Sequence, residues 1–253
     1  LCPTYVAALR AGRLAGTGEP EVASDRGAAV VWDGRALPGL WLGARGVDLA
    51  CDRARLHGLA TVLIRRAGHL GCLAVLVKRA AERGLVAIVT SSNPTDAHVT
   101  PHGGARAALS TDPFAVGFPA GDHPVLIDIS ASVTSGSTVE RHYREGRQLP
   151  EPWLVDAEGR PTADPAAFME APKGALLPLG GLSHGHKGTA IALMIEALTQ
   201  GLSGFGRSGA EPGARHMAAF VLVIDPEHHA GLDAFEREAG HLAEAVRTTP
   251  PAP

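Results

Sequence analysis

The sequence predicts an α/β fold, and three observations support this class. Two apolar runs rich in β-branched residues, Thr61–Ile64 and Leu85–Thr90, are typical of buried strands. The Ala- and Leu-rich stretch Leu70–Arg83 lies between them and ends before a glycine, so it predicts a connecting helix. Near the carboxyl terminus, the apolar run Ala219–Ile224 predicts another strand, and the amphipathic stretch Leu232–Arg247 predicts another helix. Strands that alternate with helices indicate an α/β domain.

The remaining elements follow from the same criteria in chain order. Residues 5–10 have a helical pattern, and the apolar run Ala28–Trp32 stops at a turn signal, so it predicts the end of a strand. Leu42–His57 is a helical pattern that Gly58 closes as a C-cap. Two strands, a long polar connection and a helix complete the prediction: Phe114–Phe118, Val125–Ile129, Ser135–Pro172 and Lys187–Leu202.

Length and composition exclude several classes of protein. The 253 residues predict a single unit over residues 1–247 and a disordered Pro-rich tail over residues 248–253. No apolar run approaches the roughly 20 residues that span a bilayer, so we expect a soluble protein without a membrane partner. The net charge is −3 and the basic residues are scattered, which argues against nucleic acid as a partner.

The cysteines and the first residues bear on location and completeness. Cys2, Cys51 and Cys72 form no CxxC pair and follow no secretory signal, so we expect reduced thiols in the cytoplasm. The chain begins with Leu1, in a helical pattern. We therefore interpret the sequence as a fragment of a longer protein.

The most unusual local feature is the glycine-rich stretch Gly180–Gly188, which precedes the predicted helix. Glycines allow close backbone approach, and a helix N-terminus with Lys187 favours an anion such as a pyrophosphate. The Walker pattern is not met, because His186 comes before the lysine and Gly188 replaces the hydroxyl residue. No GxGxxG follows a predicted strand, so the sequence does not support a classical dinucleotide fold.

The same stretch contains a GxSxG pattern, which raises the alternative of a serine hydrolase. Ser183 is the candidate nucleophile, and Asp225 with a later histidine completes the order of a triad. The candidate histidines are His228, His229 and His241. Pro178 counts against this alternative, because a nucleophile elbow leaves a central strand in which proline removes a hydrogen bond.

The histidines do not predict a metal site. His184 with His186, and His228 with His229, lack carboxylate or cysteine partners at zinc-ligand spacings, so we expect no metal. His69 differs because it lies between a predicted strand and a predicted helix, where α/β proteins bind ligands. Its ordinary alternative is a histidine at a helix N-terminus that is bonded locally.

A series of short motifs resembles the malate/L-lactate dehydrogenase family, which includes ureidoglycolate dehydrogenase, diketogulonate reductase and piperideine-2-carboxylate reductase. Each motif is modest alone, but their shared order over almost the whole chain is specific. The matching stretches are Tyr5–Gly12, Arg66–Gly71, Ser91–Pro94, Pro101–Gly104, Ser110–Pro113, Val125–Ser130, Pro161–Pro165, Leu177–Gly181, His186–Gly188 and Val223–Pro226.

The resemblance implies a non-Rossmann, mixed-sheet α/β fold, an NAD(H) or NADP(H) cofactor and a homodimer. It implies an oxidoreductase that transfers a hydride to or from a small 2-hydroxy or 2-oxo acid, or a cyclic 2-imino acid. It places substrate contacts at Asn93 and Thr111. It also places nucleotide contacts at Asp128, Ile129, Ser130, His186, Lys187, Gly188 and Phe220.

His69 is the catalytic candidate that the resemblance places beside the substrate, since histidine can carry the hydroxyl proton near neutral pH. Relatives carry a Ser-His-Gly motif shortly before the segment that matches Pro3–Tyr5, and its histidine has the acid–base role. No such motif precedes Pro3 here. Three alternatives stay open: a missing N-terminal piece, a catalytically impaired or auxiliary relative, and proton transfer by His69. Asp112 also replaces the family's asparagine.

Overall fold

The computed structural model describes residues 2–209 and 216–252. The helices are α1 (Cys2–Arg10), α2 (Gly39–His57), α3 (Ala74–Ala81), α4 (Gly136–Arg144), α5 (Ala166–Met169), α6 (Gly181–Glu196), a π-helix (Ala197–Gly201), a 3-10 helix (Pro226–His228) and α7 (Leu232–Thr248). The strands are β1 (Glu21–Asp25), β2 (Ala29–Asp33), β3 (Leu59–Ala67), β4 (Val86–Ser92), β5 (Pro113–Phe118), β6 (Val125–Ser130), β7 (Leu154–Val155), β8 (Pro161–Thr162), β9 (Ala175–Leu176) and β10 (Met217–Ile224).

The contacts within the chain divide it into two compact units. Unit 1 contains residues 1–90, 114–128 and 219–253, and unit 2 contains residues 91–113 and 129–218. The chain therefore leaves and re-enters unit 1 twice. The prediction of one family-type unit over residues 1–247 stays a prediction.

A seven-stranded mixed sheet dominates the fold, with strand order β1-β2-β3-β10-β4-β5-β6. β2 runs parallel to β3, with Val30 opposite Val62. β1 and β2 are antiparallel, and so are β4 and β5. The α/β class and the mixed sheet expected from the sequence are confirmed.

The predicted β-α-β sequence is present as β3, α3 and β4, and α2 also forms as expected. α2 buries Leu42, Val47, Ala50 and Ala54. Gly58 is its C-cap: the φ of this residue, 82°, is left-handed, and its amide donates to the Ala54 carbonyl at 2.8 Å. Glycine fits this position because it has no Cβ atom to oppose a positive φ.

Two helices differ from the prediction. α3 begins at Ala74 instead of Leu70, since Gly71 has a left-handed φ of 73° that interrupts a helix. α4 occupies part of the stretch that we predicted to be mostly connection. Its N-cap is Ser135, whose hydroxyl accepts the amide of Thr138 at 3.2 Å, so a capped amphipathic helix stands within a polar segment.

Unit 2 is built around a second, three-stranded antiparallel sheet with order β8-β7-β9. Its core includes Val99, Leu109, Leu154 and Leu176, packed with Ala192 of α6. The predicted helix Lys187–Leu202 starts earlier in the structure, because α6 begins at Gly181, six residues before Lys187. The π-helix then continues it to Gly201.

At the carboxyl terminus the predicted strand and amphipathic helix are both present. α7 extends one residue further than predicted, to Thr248, and the final residue of the predicted disordered tail, Pro253, lies outside the described residues. Within the described ranges, no helix combines the length and the apolar character needed to cross a membrane.

Candidate active site

His69 lies just beyond the end of β3, where the backbone packs against the start of α2. The amide of Gly68 donates to the Leu37 carbonyl at 2.8 Å. Gly39 approaches so closely that a Cβ atom on it would overlap the Gly68 carbonyl, so glycine allows α2 to begin against this segment. The predicted histidine is therefore held at the carboxyl end of a sheet strand.

The hydrogen bonds of His69 determine its tautomer. The Gly71 amide donates to Nδ1 at 3.1 Å, and the Tyr5 hydroxyl lies 2.7 Å from the same atom. A backbone amide can only donate, so Nδ1 is unprotonated in the neutral ring, the proton is on Nε2 and Tyr5 donates. Desolvation by the surrounding groups lowers the pKa of His69, although part of the side chain reaches the surface. The ring is therefore neutral near pH 7.

His69 and Tyr5 open into a cavity of about 440 Å³ within unit 1. Trp41 and several aliphatic residues form the rest of its lining. This volume suits a small organic ligand. The cavity brings the predicted catalytic histidine next to a space that a substrate can enter.

In unit 2, a chain of backbone hydrogen bonds joins three segments that the sequence analysis singled out. The Ala131 amide donates to the Thr111 carbonyl at 3.0 Å, and the Ala131 carbonyl accepts from Leu179 at 2.7 Å. The Leu179 carbonyl in turn accepts from Gly188 at 3.1 Å. A Cβ atom on Gly188 would overlap the Leu179 backbone, so only glycine allows this approach. Thr111, the end of β6 and the His186–Gly188 segment therefore lie side by side.

The position of His186, Lys187 and Gly188 relative to the helix corrects the prediction. We expected these residues at the N-terminus of a helix that starts near Lys187, but α6 already begins at Gly181. Gly180, with a φ of 95°, forms its N-cap, and the helix is interrupted at His184, where φ is −125° and ψ is 15°. The three residues therefore lie inside α6, directly after this interruption.

Exposed basic side chains lie at this interruption and beside it. The rings of His102 and His186 are 5.7 Å apart between centroids, and those of His184 and His186 are 6.3 Å apart. Lys187 is exposed and has no ion pair or hydrogen bond among the described residues. Its ammonium group is therefore available to an anion.

Asp128, Ile129 and Ser130 end β6, the edge strand of the large sheet. Asp128 Oδ2 accepts the Ala74 amide at 2.8 Å, which satisfies a free N–H at the start of α3. In the described part of the chain, Asp128 Oδ1 has no hydrogen-bond partner. Ile129 is exposed, and the Ser130 hydroxyl lies 3.0 Å from that of Ser132. One carboxylate oxygen of Asp128 is thus free for a ligand.

The other predicted contacts have different surroundings. Phe220 is buried in β10. Asn93 uses its side-chain oxygen locally, since it accepts the Thr95 amide at 3.0 Å and the Asp96 amide at 3.2 Å. Thr111 lines a separate cavity of about 780 Å³ within unit 2. The structure therefore puts His69, Asp128 and Phe220 in unit 1, and the remaining predicted residues in unit 2.

A buried polar network around Asp112 was not predicted from the sequence. The Ser110 hydroxyl accepts the Asn93 amide at 3.0 Å and donates to Asp112 Oδ1, while Asp112 Oδ2 is buried without a partner in the described residues. Glu196 forms an ion pair with Arg207 nearby. Burial first, and the Glu196 charge after it, raise the pKa of Asp112 to about 7, although the Ser110 hydrogen bond and the Arg207 charge oppose the rise. The only sequence signal was the replacement of the family's asparagine by Asp112.

The hydrolase alternative finds no support in the hydrogen bonds. Ser183 lies in the first turn of α6, and its hydroxyl contacts Nδ1 of the adjacent His184 at 2.9 Å. The Asp225 carboxylate is bound by Arg55 at 3.0 and 3.1 Å, and the His228 ring lies 3.1 Å from the Arg55 carbonyl. The acid and the first candidate base are therefore both engaged with arginine.

Comparison with known proteins identifies similar sequences over the whole chain. The family model for malate/L-lactate dehydrogenase matches residues 1–253. A Δ(1)-pyrroline-2-carboxylate/Δ(1)-piperideine-2-carboxylate reductase of Pseudomonas syringae pv. tomato is 37% identical over 241 residues, which is 90% of this chain and 67% of that protein. An L-lactate dehydrogenase of Cupriavidus necator is 31% identical over 259 residues, 100% of this chain and 73% of that protein.

Solved structures of proteins with related names are also similar to this chain. The Δ1-piperideine-2-carboxylate reductase of Pseudomonas syringae superposes with a TM-score of 0.88 at 31% identity and covers 99% of this chain and 75% of its own. A malate dehydrogenase of Entamoeba histolytica gives a TM-score of 0.90 at 25% identity, over 98% of this chain and 72% of its own. The chain thus spans about two thirds to three quarters of the length of these relatives.

Proposed function

Because the chain belongs to the malate/L-lactate dehydrogenase family, a family of oxidoreductases, we propose that it is an NAD(P)-dependent dehydrogenase or reductase. Its substrate is a small 2-hydroxy or 2-oxo acid, or a cyclic 2-imino acid. The observation that carries this proposal is His69, a neutral imidazole with a defined tautomer that opens into a ligand-sized cavity.

His69 and Tyr5 move the proton in this proposal. When bound, the nicotinamide supplies or accepts the hydride at C2 of the substrate. In the oxidation direction, the substrate hydroxyl gives its proton to the Tyr5 oxygen while the Tyr5 proton passes to His69 Nδ1, 2.7 Å away. Reduction reverses the transfer. The lowered pKa of His69 makes its protonated ring a stronger acid toward the forming alcohol or amine.

The cofactor residues follow from charge and free hydrogen-bonding groups. Lys187 offers an unpaired ammonium group to a phosphate, and Asp128 Oδ1 can accept a ribose hydroxyl. Ile129, Ser130, His186, Gly188 and Phe220 complete the proposed contacts with NAD(H) or NADP(H), and Asn93 and Thr111 the proposed contacts with substrate.

We further propose a cytoplasmic homodimer. Cys51 and Cys72 are free thiols, which suits a reducing compartment. Sedimentation equilibrium should give twice the 26.1 kDa mass of one chain. A mass of one chain at micromolar concentration would contradict the dimer.

The test is titration of the purified chain with NADH and NADPH, followed by addition of 2-oxo acids and cyclic imino acids. We expect the chain to bind NADH or NADPH and to oxidise it when a substrate is added. His69→Gln should lose oxidation but keep cofactor binding, whereas Lys187→Met should weaken cofactor binding. Lys78→Met, which changes another exposed lysine that has no proposed role, is the control.

The outcomes separate the alternatives. Absence of binding to either cofactor would contradict the proposal. Binding without oxidation of any substrate would favour the catalytically impaired or auxiliary relative. Covalent labelling of Ser183 by a fluorophosphonate would instead favour the hydrolase, whose nucleophile must be activated.

A further inference from the structure

The cavity beside His69 is lined almost entirely by hydrocarbon. Apart from Tyr5 and His69, its lining consists of Leu9, Leu14, Pro38, Gly39, Leu40, Trp41 and Ala44. Among the described residues of the lining, the polar side-chain groups are the phenol, the imidazole and the indole N–H of Trp41, and the first two are hydrogen-bonded to each other at 2.7 Å. A ligand inside this cavity meets apolar walls and one proton-transfer pair.

Among the described residues, the Arg, Lys, Asp and Glu side chains near the cavity do not line it. The Arg45 guanidinium lies 4.7 Å from the centroid of the Trp41 ring, but it is paired with Glu19. Arg65 and Arg66, which precede His69, are both bound to the buried carboxylate of Asp33. Arg10, Arg13 and Arg35 are close in sequence to residues that line the cavity, but they do not line it themselves. Apart from His69, whose lowered pKa keeps the free ring neutral near pH 7, the described residues of the walls therefore offer a carboxylate inside the cavity no counter-ion.

We propose that this cavity receives the substituent on C3 of the substrate and selects a hydrocarbon group. The inference rests on the proposed function, because His69 must act at C2 for the cavity to face C3. The preferred substrates are then 2-oxo or 2-hydroxy monocarboxylates with an aliphatic or aromatic substituent, or cyclic imines whose ring is hydrocarbon. Substrates with a second acidic group are disfavoured.

The physical basis is the different cost of filling this space with methylene or with charge. One methylene group in an apolar pocket changes kcat/KM by roughly 10- to 200-fold. A second carboxylate loses its hydration without gaining an ion pair, so it is rejected at least as strongly. The volume of about 440 Å³ leaves room for a substituent of several carbons.

A matched pair of acids tests the preference. The second carboxylate of 2-oxoglutarate is replaced by an ethyl group in 2-oxohexanoate, so the two acids are close in size and differ in charge. We expect kcat/KM for 2-oxohexanoate to exceed that for 2-oxoglutarate by about 100-fold, within the range that pocket contacts achieve. Equal values, or a preference for 2-oxoglutarate, would overturn the inference.

A substitution on the wall should change the preference in a predictable direction. Leu40 is 45% exposed at the start of α2, so arginine can replace it without entering the core. Leu40→Arg should reduce the ratio of kcat/KM for 2-oxohexanoate to kcat/KM for 2-oxoglutarate at least tenfold, because it places a counter-ion at the cavity. Leu56→Arg is the matched control, since Leu56 is on the same helix, is 72% exposed and does not line the cavity.

Ligand binding can be followed without turnover, because Trp41 lines the cavity. 2-Oxohexanoate should quench its fluorescence at a lower concentration than 2-oxoglutarate, and Trp41→Phe should remove the response. If the acids are discriminated in this way but no cofactor is oxidised, the proposed function fails and the cavity preference stands. If turnover occurs while Trp41 responds to neither acid, the substrate binds elsewhere and the inference is wrong.

Discussion

Asp112 is a buried acid whose second carboxylate oxygen has no hydrogen-bond partner among the described residues. Its left-handed φ of 42° is a conformation that aspartate and asparagine tolerate better than most residues. Because burial raises its pKa to about 7, the folded chain keeps this proton at a pH where the unfolded chain releases it. Stability therefore falls as pH rises from about 4 to about 7, and the loss is complete above that window.

Asp112→Asn removes this titration and keeps the shape of the side chain. Relative to the original chain, the variant should gain stability as pH rises, by about 3 kcal/mol between about pH 5 and pH 8. Urea unfolding at both pH values measures the change. Asp122→Asn is the control, because Asp122 is exposed in a loop. A difference that does not depend on pH would show that Asp112 is ionised in the folded chain.

Tyr5 can be tested separately from the fold. Tyr5→Phe removes the hydroxyl that donates to His69 and preserves the ring, so we expect kcat to fall by about 10²-fold, a typical loss for a proton-transfer group. Cofactor affinity should not change. Tyr143→Phe is the matched control, since its exposed hydroxyl donates to Glu170 at 2.7 Å. Equal kcat values for both variants would exclude the relay.

At the level of elements, Gly188 fixes α6 against the segment that carries Leu179. A Cβ atom there would overlap the Leu179 backbone and lie 2.8 Å from the Ala131 carbonyl oxygen. Gly188→Ala should therefore lower the free energy of unfolding by about 1–3 kcal/mol, even without a cofactor. Gly240→Ala in α7, where a Cβ atom meets nothing within 4 Å, should leave stability unchanged or raise it by about 1 kcal/mol. Chemical denaturation of both variants measures the contrast.

Sequence patterns located the elements with long apolar runs better than those with polar ones. The bounds of β10 and α7 were predicted to within two residues. Burial gives β10 a continuous apolar run, and α7 has apolar residues at helical spacing. α4 was missed, since its segment is polar and short. The start of α6 was missed because a left-handed Gly180 and an irregular His184 interrupt the pattern. Such breaks depend on tertiary contacts that a local window does not contain.

At the scale of the whole molecule, the motifs predicted the family, and the family assignment is confirmed. His69 could be selected from its place after a strand. Its partner Tyr5 could not, because the two residues are distant in sequence and meet only in the fold. The same holds for Asp112 and Glu196: two acids on separate segments give no local signal of the repulsion between them.

The carboxyl-terminal tail allows a test at the same scale. α7 ends at Thr248, and the exposed residues Pro250–Ala252 follow it. A chain that ends at Thr249 should therefore unfold at the same temperature as the 253-residue chain, within about 1 °C, because Pro250–Ala252 are exposed. Differential scanning calorimetry measures this. A substantial decrease would show that the tail stabilises the fold.

The position of β10 has a consequence for biosynthesis. This strand lies between β3 and β4, yet β4 ends at Ser92 and β10 begins at Met217. A ribosome that has released β3 and β4 has therefore produced two strands whose shared neighbour does not yet exist. Their facing edges stay unpaired, and can join other nascent chains, until β10 has been synthesised. The order of the strands thus leaves two sheet edges open to intermolecular pairing while the residues between β4 and β10 are synthesised.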